Sequence, residues 1–378
     1  MTRVVVAGYA RSPFTLATRG ALARVRPDDL AAQVVRGLVA RTGVNSEDIE
    51  DLLLGCAFPE GEQGLNLARL VGLMAGLPRS VGAATVNRFC GSSMTSVHIA
   101  AGSIAMGAGD VFICVGVESM SRVPMMGFNP LPHPIFAKSN PEFYIGMGDT
   151  AENVAQRWQI SRAEQETFAL RSQQRAAAAI AEGRITDEII PITAGDSVIE
   201  TDGCPRPETT LEGLASLKPA FSAEGLVTAG TSSPLTDGAS AVLVCSEAYA
   251  EKAGLPVLAY VRAVAVRGCD PEFMGIGPVG ASRRALERAG ISAGDLDVVE
   301  LNEAFASQSI ACIRDLGLDP KRVNLDGGAI ALGHPLGATG ARIVGKAASL
   351  LAREKGRYAL ATQCIGGGQG IATVLEAA

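Results

Sequence analysis

Two stretches that lie far apart in the chain, RTGVNSEDIEDLLLG at residues 41–55 and RAGISAGDLDVVELN at residues 288–302, decide the fold. In each, a helical segment ends at a glycine, an aspartate follows, and a strand-like apolar run comes next. The two glycines, Gly43 and Gly290, and the aspartate five residues after each of them keep the same separation of 247 positions. This constant spacing predicts an internal duplication.

A second pair of stretches supports the duplication. Residues 90–119 resemble residues 336–365, with Gly91 matching Gly337 at a shift of 246 positions. In both stretches a turn of small residues opens a helix that leads into a strand. Apolar β-runs alternate with alanine-rich helical stretches, which is typical of parallel βαβ units. The sequence therefore predicts an α/β protein made of two related halves.

The segment between the halves has a different composition, with Pro-, Met- and Gly-rich loops on either side of a charged helix at residues 161–183. We interpret it as an insertion that covers a ligand cleft near the strand ends. The predicted division is 1–117 plus 236–256 for the N-terminal half, 118–235 for the inserted loop domain and 257–378 for the C-terminal half.

The overall composition is globular and argues against nucleic-acid or membrane functions. The 378 residues are 47% hydrophobic and 19% charged, and the formal net charge is −6, whereas nucleic-acid binding requires a basic face. The most apolar runs, at residues 111–117 and 239–245, are strand-sized and too short to span a bilayer. Because the chain enters a strand-like run within its first residues, we expect neither a signal peptide nor a transit peptide.

The cysteine pattern bears on location and on metal binding. The eight cysteines form no CxxC pair and no zinc-like spacing with histidine. In a chain of this length, that pattern favours reduced thiols, no metal site and a cytoplasmic location. Cys114 and Cys245 lie in continuous apolar strands and are predicted to be core thiols.

Cys90, in VNRFCGSSMTSV, is the first candidate for chemistry. It follows a strand-like run and precedes the start of a helix. The positive end of the helix dipole and the free N–H groups at that point are expected to lower the pKa of the thiol and favour the thiolate. The residues alone leave two interpretations open, a nucleophile and a structural cysteine.

Three further positions have open alternatives. Cys364 begins the glycine-rich turn CIGGGQG, which can be a phosphate cradle, a tight bend or a set of backbone N–H groups directed at an oxyanion. A Walker-type cradle is excluded because no GK[ST] follows. Asn302, at the end of a predicted strand, can equally cap the next helix. His334, in LGHPLGATG, is by itself compatible with a solvated loop histidine.

The stretch GIGPVG at residues 275–280 fits the dinucleotide-binding pattern GxGxxG. The nearest predicted strand, at residues 257–267, ends well before it. A dinucleotide fingerprint needs a strand that leads directly into the glycines. We therefore predict no dinucleotide site there.

Four motifs together resemble the thiolase family, and the resemblance covers essentially the whole chain. The motifs are CGSS at 90–93, NEAFA at 302–306, GHPLGATG at 333–340 and CIGGGQG at 364–370. Residues 147–155 and 217–240 also resemble loop-domain motifs of that family. The resemblance implies the thiolase fold, with two βαβαβαββ halves in a five-layered αβαβα arrangement and an inserted loop domain.

The resemblance also implies catalytic roles. Cys90 would be the nucleophile, His334 would activate it, and Cys364 would be the acid and base at the α-carbon. A thiol suits both cysteine roles because its ordinary pKa of about 8.5 lies near neutrality. One oxyanion site would consist of His334 with a water held by Asn302. The other would consist of the backbone N–H groups of Cys90 and Gly366.

By the same resemblance, coenzyme A is a substrate and no cofactor is bound permanently. Arg206 would contact the nucleotide end of CoA, and Ser233 would contact its pantetheine arm. The thioester pocket would be lined by Met147, Phe221 and Phe305.

Two positions depart from common family patterns. Ser93 replaces the last glycine of a CGSG motif, and we expect it to stiffen the turn. Gly146 stands where biosynthetic acetoacetyl-CoA thiolases commonly have a histidine, which favours a degradative enzyme. His98 and His133 match no catalytic motif and are predicted to be structural or surface residues.

The resulting hypothesis is an acyltransferase of fatty acid β-oxidation. It would cleave 3-ketoacyl-CoA with CoA to acetyl-CoA and a shortened acyl-CoA through an acyl-cysteine, and it would form a homodimer or homotetramer. The alternatives are a biosynthetic acetoacetyl-CoA thiolase and a non-catalytic, thiolase-like carrier of acyl-CoA or lipid. A decarboxylating ketoacyl synthase is disfavoured because its relatives use a second histidine where Cys364 stands.

Overall fold

The computed structural model describes residues 2–378. Its strands are β1 (Val4–Arg11), β2 (Thr15–Leu16), β3 (Asp51–Gly55), β4 (Gly82–Val86), β5 (Val111–Ser119), β6 (Ile192–Ala194), β7 (Ser197–Ile199), β8 (Thr236–Ser246), β9 (Ala259–Gly268), β10 (Val298–Leu301), β11 (Tyr358–Ile365) and β12 (Gln369–Glu376). Its α-helices are α1 (Pro27–Thr42), α2 (Leu67–Met74), α3 (Ser92–Ala105), α4 (Phe136–Ser139), α5 (Met147–Arg157), α6 (Arg162–Ala181), α7 (Leu211–Ala215), α8 (Glu247–Ala253), α9 (Gly277–Ala289), α10 (Ala306–Leu316), α11 (Ala329–Leu332) and α12 (Leu336–Glu354).

The N-terminal half is built on neighbouring strands in the order β4-β3-β5-β8-β1. Strand β3 pairs in parallel with β4 and β5, whereas β8 is antiparallel to both β5 and β1. Strands β5 and β8 are buried along their whole length. Because both of their faces are covered, these strands are nearly continuous apolar runs without a polar–apolar alternation.

The C-terminal half repeats this order. Strands β10-β11-β12-β9 correspond to β3-β5-β8-β1, with β10 parallel to β11, and β12 antiparallel to both β11 and β9. A parallel bridge between Val299 and Val323 corresponds to the pairing of β3 with β4. Helices α1 and α9 both end at a left-handed glycine, Gly43 with a φ of 69° and Gly290 with a φ of 72°. The predicted duplication is confirmed.

The layers follow from the way the two half-sheets meet. Strands β1 and β9 pair briefly, so that the half-sheets continue into each other around the central helices α3 and α12. Helices α1 and α2 cover the outer face of the first half-sheet, and α9 and α10 cover that of the second. Side chains of α3, α12 and both inner faces share one apolar cluster. The predicted αβαβα order is confirmed.

Helix α12 approaches the first half-sheet closely at its start. A Cβ atom on Gly337 would clash with the backbone of Val117 and Cys56, and one on Gly340 would clash with the backbone of Met94. Only glycine permits such an approach. The turn that precedes α12 is thereby held beside the turn that precedes α3.

Further along, α12 carries buried cations that are paired with carboxylates. Lys346 contacts Glu188 at 3.0 Å and Asp326 at 2.8 Å, and Arg342 contacts Glu300 at 3.4 Å. Because an unpaired buried charge is strongly unfavourable, these contacts fix the position of α12. Glu188 belongs to the segment between β5 and β8, so the pair also ties that segment to the central helix.

The segment between β5 and β8 contains α4 to α7 and a small sheet of β6 and β7. Helix α6 begins with a capping box formed by Ser161 and Glu164. It packs beside α10 and α11, on the second half. This position agrees with a covering insertion. The predicted boundaries at 118–235 and those of the two halves stay a prediction.

Two other features bear on the function classes considered from the sequence. The stretch GIGPVG joins a 3₁₀ turn, Pro271–Ile276, to α9, whereas β9 already ends at Gly268. The strand-to-glycine connection of a dinucleotide site is therefore missing at this point. Across residues 2–378, no helix has the length and apolarity to cross a membrane, and no cluster of three or more His, Cys, Asp or Glu side chains is arranged to hold a metal ion.

Candidate active site

A cavity of about 320 Å³ lies where the two halves meet the inserted segment. Its walls are mostly apolar, as is usual for small-molecule sites. Seven of the residues predicted for chemistry or CoA binding line it: Cys90, Met147, Phe221, Ser233, Phe305, His334 and Cys364. The folding of the chain therefore brings together four motifs that are up to 274 positions apart in the sequence.

Cys90 lies in a tight turn between β4 and α3. Phe89, just before it, has a φ of 44°, which is rare for a bulky side chain. The hydroxyl of Ser92 donates to the carbonyl oxygen of Phe89 at 2.6 Å and accepts from the N–H of Arg88 at 2.9 Å. From the other half, the Gln363 amide donates to the carbonyl of Cys90. The turn is thus fixed from both halves.

Burial dominates the electrostatics of the Cys90 sulfur. It raises the pKa of the thiol to about 11, with the charge of Glu118 acting in the same direction and the N–H groups of Gly366 and Cys90 acting against it. The expectation that the helix start would lower this pKa is therefore wrong, because a buried thiolate loses its hydration. The thiol is protonated at neutral pH and needs a base.

His334 occupies the turn between α11 and α12. Its Nδ1 lies 2.6 Å from the hydroxyl of Thr339, and its Nε2 lies 3.3 Å from the amide nitrogen of Asn302. Its backbone N–H donates to Thr236 at 3.1 Å. Burial, assisted by the charge of Arg342, lowers the pKa of the ring to about 3. The imidazole is therefore neutral at physiological pH, and one of its two ring nitrogens carries a lone pair.

Asn302 lies next to His334 and is fully buried. It does not cap the next helix, because α10 begins at Ala306 and has Phe305 as its N-cap. Its Oδ1 finds no hydrogen-bond partner among residues 2–378. A buried amide oxygen without a protein partner is a typical position for an ordered water. This agrees with the water that the family resemblance implies.

Cys364 lies near the end of β11, opposite β12. The glycine-rich turn between these strands is a tight hairpin, with Gly367 at a φ of 78° and Gly368 at a φ of 81°. The hairpin directs the N–H of Gly366 toward the sulfur of Cys90. Burial raises the pKa of Cys364 well above its ordinary range, and negative charge on Cys90 raises it further.

The apolar wall comes from the inserted segment and from the NEAFA turn. The rings of Phe221 and Phe305 meet edge to face, with their centroids 5.9 Å apart. Met147 begins α5, and its sulfur lies beside the glycine-rich hairpin. The N–H of Ser233 donates to the carbonyl of Ala304 at 2.9 Å. These contacts attach the covering segment to the second half at the cavity.

The two departures from the family patterns have separate consequences. Ser93 is fully buried, and its hydroxyl accepts a hydrogen bond from the N–H of Ala341 at 2.8 Å. It therefore links α3 to α12, which is more than a local stiffening of the turn. Gly146 lines the cavity, where a histidine would fill part of the space.

The remaining predicted residues lie away from the cavity wall. Arg206 is exposed, and its backbone N–H donates to the side chain of Gln173 on α6 at 2.8 Å. His98 contacts the hydroxyl of Thr373 at 2.9 Å, and His133 is exposed. The structural and surface interpretations of these two histidines agree with their positions.

Glu118, which the sequence analysis did not single out, supports the site from behind. This fully buried carboxylate accepts the N–H groups of Ala57 at 2.8 Å, Phe58 at 3.2 Å and Gly337 at 2.9 Å, and the Gln63 amide at 2.8 Å. It therefore joins the end of β5 to the first turn of α12. The available signal was a single carboxylate at the end of an otherwise apolar strand.

Models of known protein-family domains match almost the whole chain. The model of the thiolase N-terminal domain matches residues 4–248, and the model of the thiolase C-terminal domain matches residues 255–377. The chain belongs to the thiolase family. The two matches are separated only by residues 249–254, most of which belong to α8, and together cover nearly the whole thiolase chain.

Relatives of this thiolase are similar over their full length. It is 47% identical over 389 residues to a 3-ketoacyl-CoA thiolase of Bacillus subtilis, with 100% of each chain covered. It is 50% identical over 386 residues to a 3-ketoacyl-CoA thiolase of Pseudoalteromonas translucida, covering 100% of this chain and 99% of the relative. Human mitochondrial 3-ketoacyl-CoA thiolase is 39% identical with a TM-score of 0.92, covering 100% of this chain and 99% of the human chain, and it has also been solved in complex with CoA.

Proposed function

We propose that this thiolase uses CoA to cleave 3-ketoacyl-CoA into acetyl-CoA and a shortened acyl-CoA, through an acyl group carried by Cys90. The observation that carries the proposal is the convergence of Cys90, His334 and Cys364 on one cavity. Full-length relatives named 3-ketoacyl-CoA thiolase give it independent support. A nucleophile, a base for it and a second thiol are the groups that carbon–carbon cleavage of a thioester requires.

In the first half-reaction, Nε2 of His334 takes the proton of Cys90 while the sulfur attacks the 3-keto carbon. The bond between the α- and β-carbons breaks, and its electron pair passes to the enolate of acetyl-CoA. Cys364 donates its proton to the enolate carbon, and acetyl-CoA leaves with the acyl group remaining on Cys90. Both the thiol of Cys90 and the imidazole of His334 are neutral at the start. The imidazolium and the substrate oxyanion that form during the reaction therefore need fixed dipoles around them.

In the second half-reaction, the thiolate of Cys364 takes the proton of incoming CoA, whose sulfur attacks the acyl-cysteine. Cys90 leaves and recovers its proton from His334. The N–H groups of Cys90 and Gly366 serve one developing oxyanion, and His334 with a water at Asn302 serves the other. Losing one such donor typically lowers the rate by about 10²- to 10³-fold.

We assign coenzyme A a substrate role. Met147, Phe221 and Phe305 are assigned to the apolar surface for the thioester end, and Ser233, which lines the same cavity, is assigned to the pantetheine arm. Arg206 is assigned to the nucleotide end of CoA. It is exposed and lies outside the cavity, where we expect that end of the ligand. The human relative solved in complex with CoA supports this ligand class.

A substrate series tests the function and the degradative type. Purified protein should release acetyl-CoA from 3-ketoacyl-CoA only when CoA is added, and kcat/KM for eight- or ten-carbon substrates should equal or exceed the value for acetoacetyl-CoA. The reason is the apolar cavity, because burying each CH₂ group of the acyl chain contributes about 0.8 kcal/mol to the free energy of substrate binding. A strict preference for the four-carbon substrate would favour the biosynthetic alternative, and no CoA-dependent release with any chain length would favour the carrier.

We also propose that the chain forms a homodimer or homotetramer. Strand β4 is an outer strand of the sheet with one backbone edge unpaired in this chain, and such an edge pairs readily with another chain. Exposed apolar side chains lie on or next to the helices that contact it, with Leu65 before α2, Leu73 on α2 and Ile99 on α3. Light scattering should give a multiple of the monomer mass, and Ile99→Asp should shift the distribution toward monomer. A purely monomeric wild-type protein would contradict this proposal.

For location we propose the cytoplasm. All eight cysteines are unpaired, which suits a reducing compartment. The proposed chemistry needs two of them as free thiols, so it is compatible with such a compartment.

A further inference from the structure

The hydroxyl of Thr339 makes the shortest contact to the His334 ring. Thr339 is fully buried in the first turn of α12, and its Oγ1 lies 2.6 Å from Nδ1 of His334. The same hydroxyl lies 3.1 Å from the carbonyl oxygen of Pro335. Nδ1 therefore faces into the helix, and Nε2 is the nitrogen left for the cavity.

The directions of these hydrogen bonds follow from the partners. The amide nitrogen of Asn302, a donor, lies 3.3 Å from Nε2 of His334, so Nε2 carries the lone pair and Nδ1 carries the hydrogen. Oγ1 of Thr339 then accepts from Nδ1–H and donates its own hydrogen to the Pro335 carbonyl. Each of these three hydrogen bonds then has one donor and one acceptor.

We propose that Thr339 is a positioning residue, which holds His334 in the Nδ1–H tautomer and thereby keeps Nε2 unprotonated, so that its lone pair can exchange the Asn302 contact for the proton of Cys90. This inference rests on the proposed function and adds a residue to it. Among residues 2–378 no Asp or Glu side chain bonds to either nitrogen of the His334 ring. The hydroxyl of Thr339 therefore takes the orienting place that a carboxylate occupies in many nucleophile–histidine sites.

The contact also acts differently on the two protonation states of His334. When the ring takes the Cys90 proton it becomes an imidazolium in a buried site, and a hydrogen bond from a charged donor is stronger than one from a neutral donor. Thr339 thus stabilises the state in which the thiolate attacks more than the resting state. Its removal should lower the acylation rate and kcat, with little effect on KM.

The kinetic test uses a matched pair of variants. Thr339→Val keeps the shape of the side chain and removes the hydroxyl, whereas Thr339→Ser keeps the hydroxyl. We expect Thr339→Val to lower kcat and the rate of Cys90 acylation by roughly 10- to 100-fold, and Thr339→Ser to stay within about threefold of wild type. Equal rates for Thr339→Val and wild type, or equal losses in both variants, would overturn the proposal.

The second test reads the tautomer in the unmodified protein and needs no substrate. The chain has three histidines, so ¹⁵N-histidine labelling gives few signals, and the His334→Asn variant identifies those of His334 by their loss. At pH 7 to 8 we expect Nδ1 to be protonated and Nε2 bare, and Thr339→Val to mix the two tautomers. A wild-type ring with its hydrogen on Nε2 would overturn the proposal. Because this result is independent of turnover, it is distinguishable from failure of the proposed function.

Discussion

The Cys90→Ser variant is expected to lose thiolysis by about 10⁴-fold or more while it keeps its fold. Serine has nearly the same shape as cysteine, so the turn between β4 and α3 should form as before. The hydroxyl, however, is far harder to ionise than the thiol, and loss of an activated nucleophile removes most of the rate enhancement of a covalent mechanism. Steady-state release of acetyl-CoA from a 3-ketoacyl-CoA in the presence of CoA measures the loss.

Intact-protein mass spectrometry supplies the direct readout for this variant. Wild-type protein exposed to acetyl-CoA should gain the mass of one acetyl group, and Cys90→Ser should gain none. The matched control is Cys245→Ser, which makes the same change at a core thiol of β8 and should leave acylation of the folded protein unchanged. An acetyl adduct of undiminished size on Cys90→Ser would show that the nucleophile is elsewhere.

Much of the fold could be predicted because its signals are local. A helix that ends at a left-handed glycine leaves a glycine in the sequence, and the pair Gly43 and Gly290 fixes the spacing of the two halves. Buried strands leave apolar runs, as in β5 and β8. The order of the strands in the sheet left no such local signal and was not predicted, whereas the layered arrangement followed from the family resemblance.

The site could be predicted in part only. The motifs contain most of the predicted residues that line the cavity. The pKa of Cys90, however, depends on burial by segments that are distant in the sequence. The argument from the helix start therefore gave the wrong direction for the shift of this pKa. The sequence indicates no role for Thr339, because its contact with His334 depends on the geometry of the first turn of α12. Glu118 has partners from two distant stretches of the chain, residues 57–63 and the start of α12, which no local pattern reveals.

The Cys364→Ala variant is expected to separate the two halves of the chemistry. Acylation of Cys90 by acetyl-CoA should still occur, but more slowly, because Cys364 no longer returns a proton to the departing CoA sulfur. Exchange of the α-protons of acetyl-CoA in D₂O should fall further, by about 10²- to 10⁴-fold, the usual contribution of a general acid or base. Proton NMR of acetyl-CoA follows the exchange, and mass spectrometry follows the acylation. The Cys245→Ala variant, which removes a core thiol, is the control for a non-specific loss of stability.

The timing of proton transfer follows from the charges on the two sulfurs. Burial keeps Cys364 protonated, and a thiolate at Cys90 raises its pKa further. Once Cys90 carries an acyl group, that negative charge is gone and the pKa of Cys364 falls, so its proton becomes available when the enolate has formed. The resulting thiolate is buried and therefore strongly basic, which suits it to deprotonate the incoming CoA. If Cys364→Ala exchanged α-protons as fast as wild type, the base would have to be another group on the cavity wall, and His334 would be the first to examine.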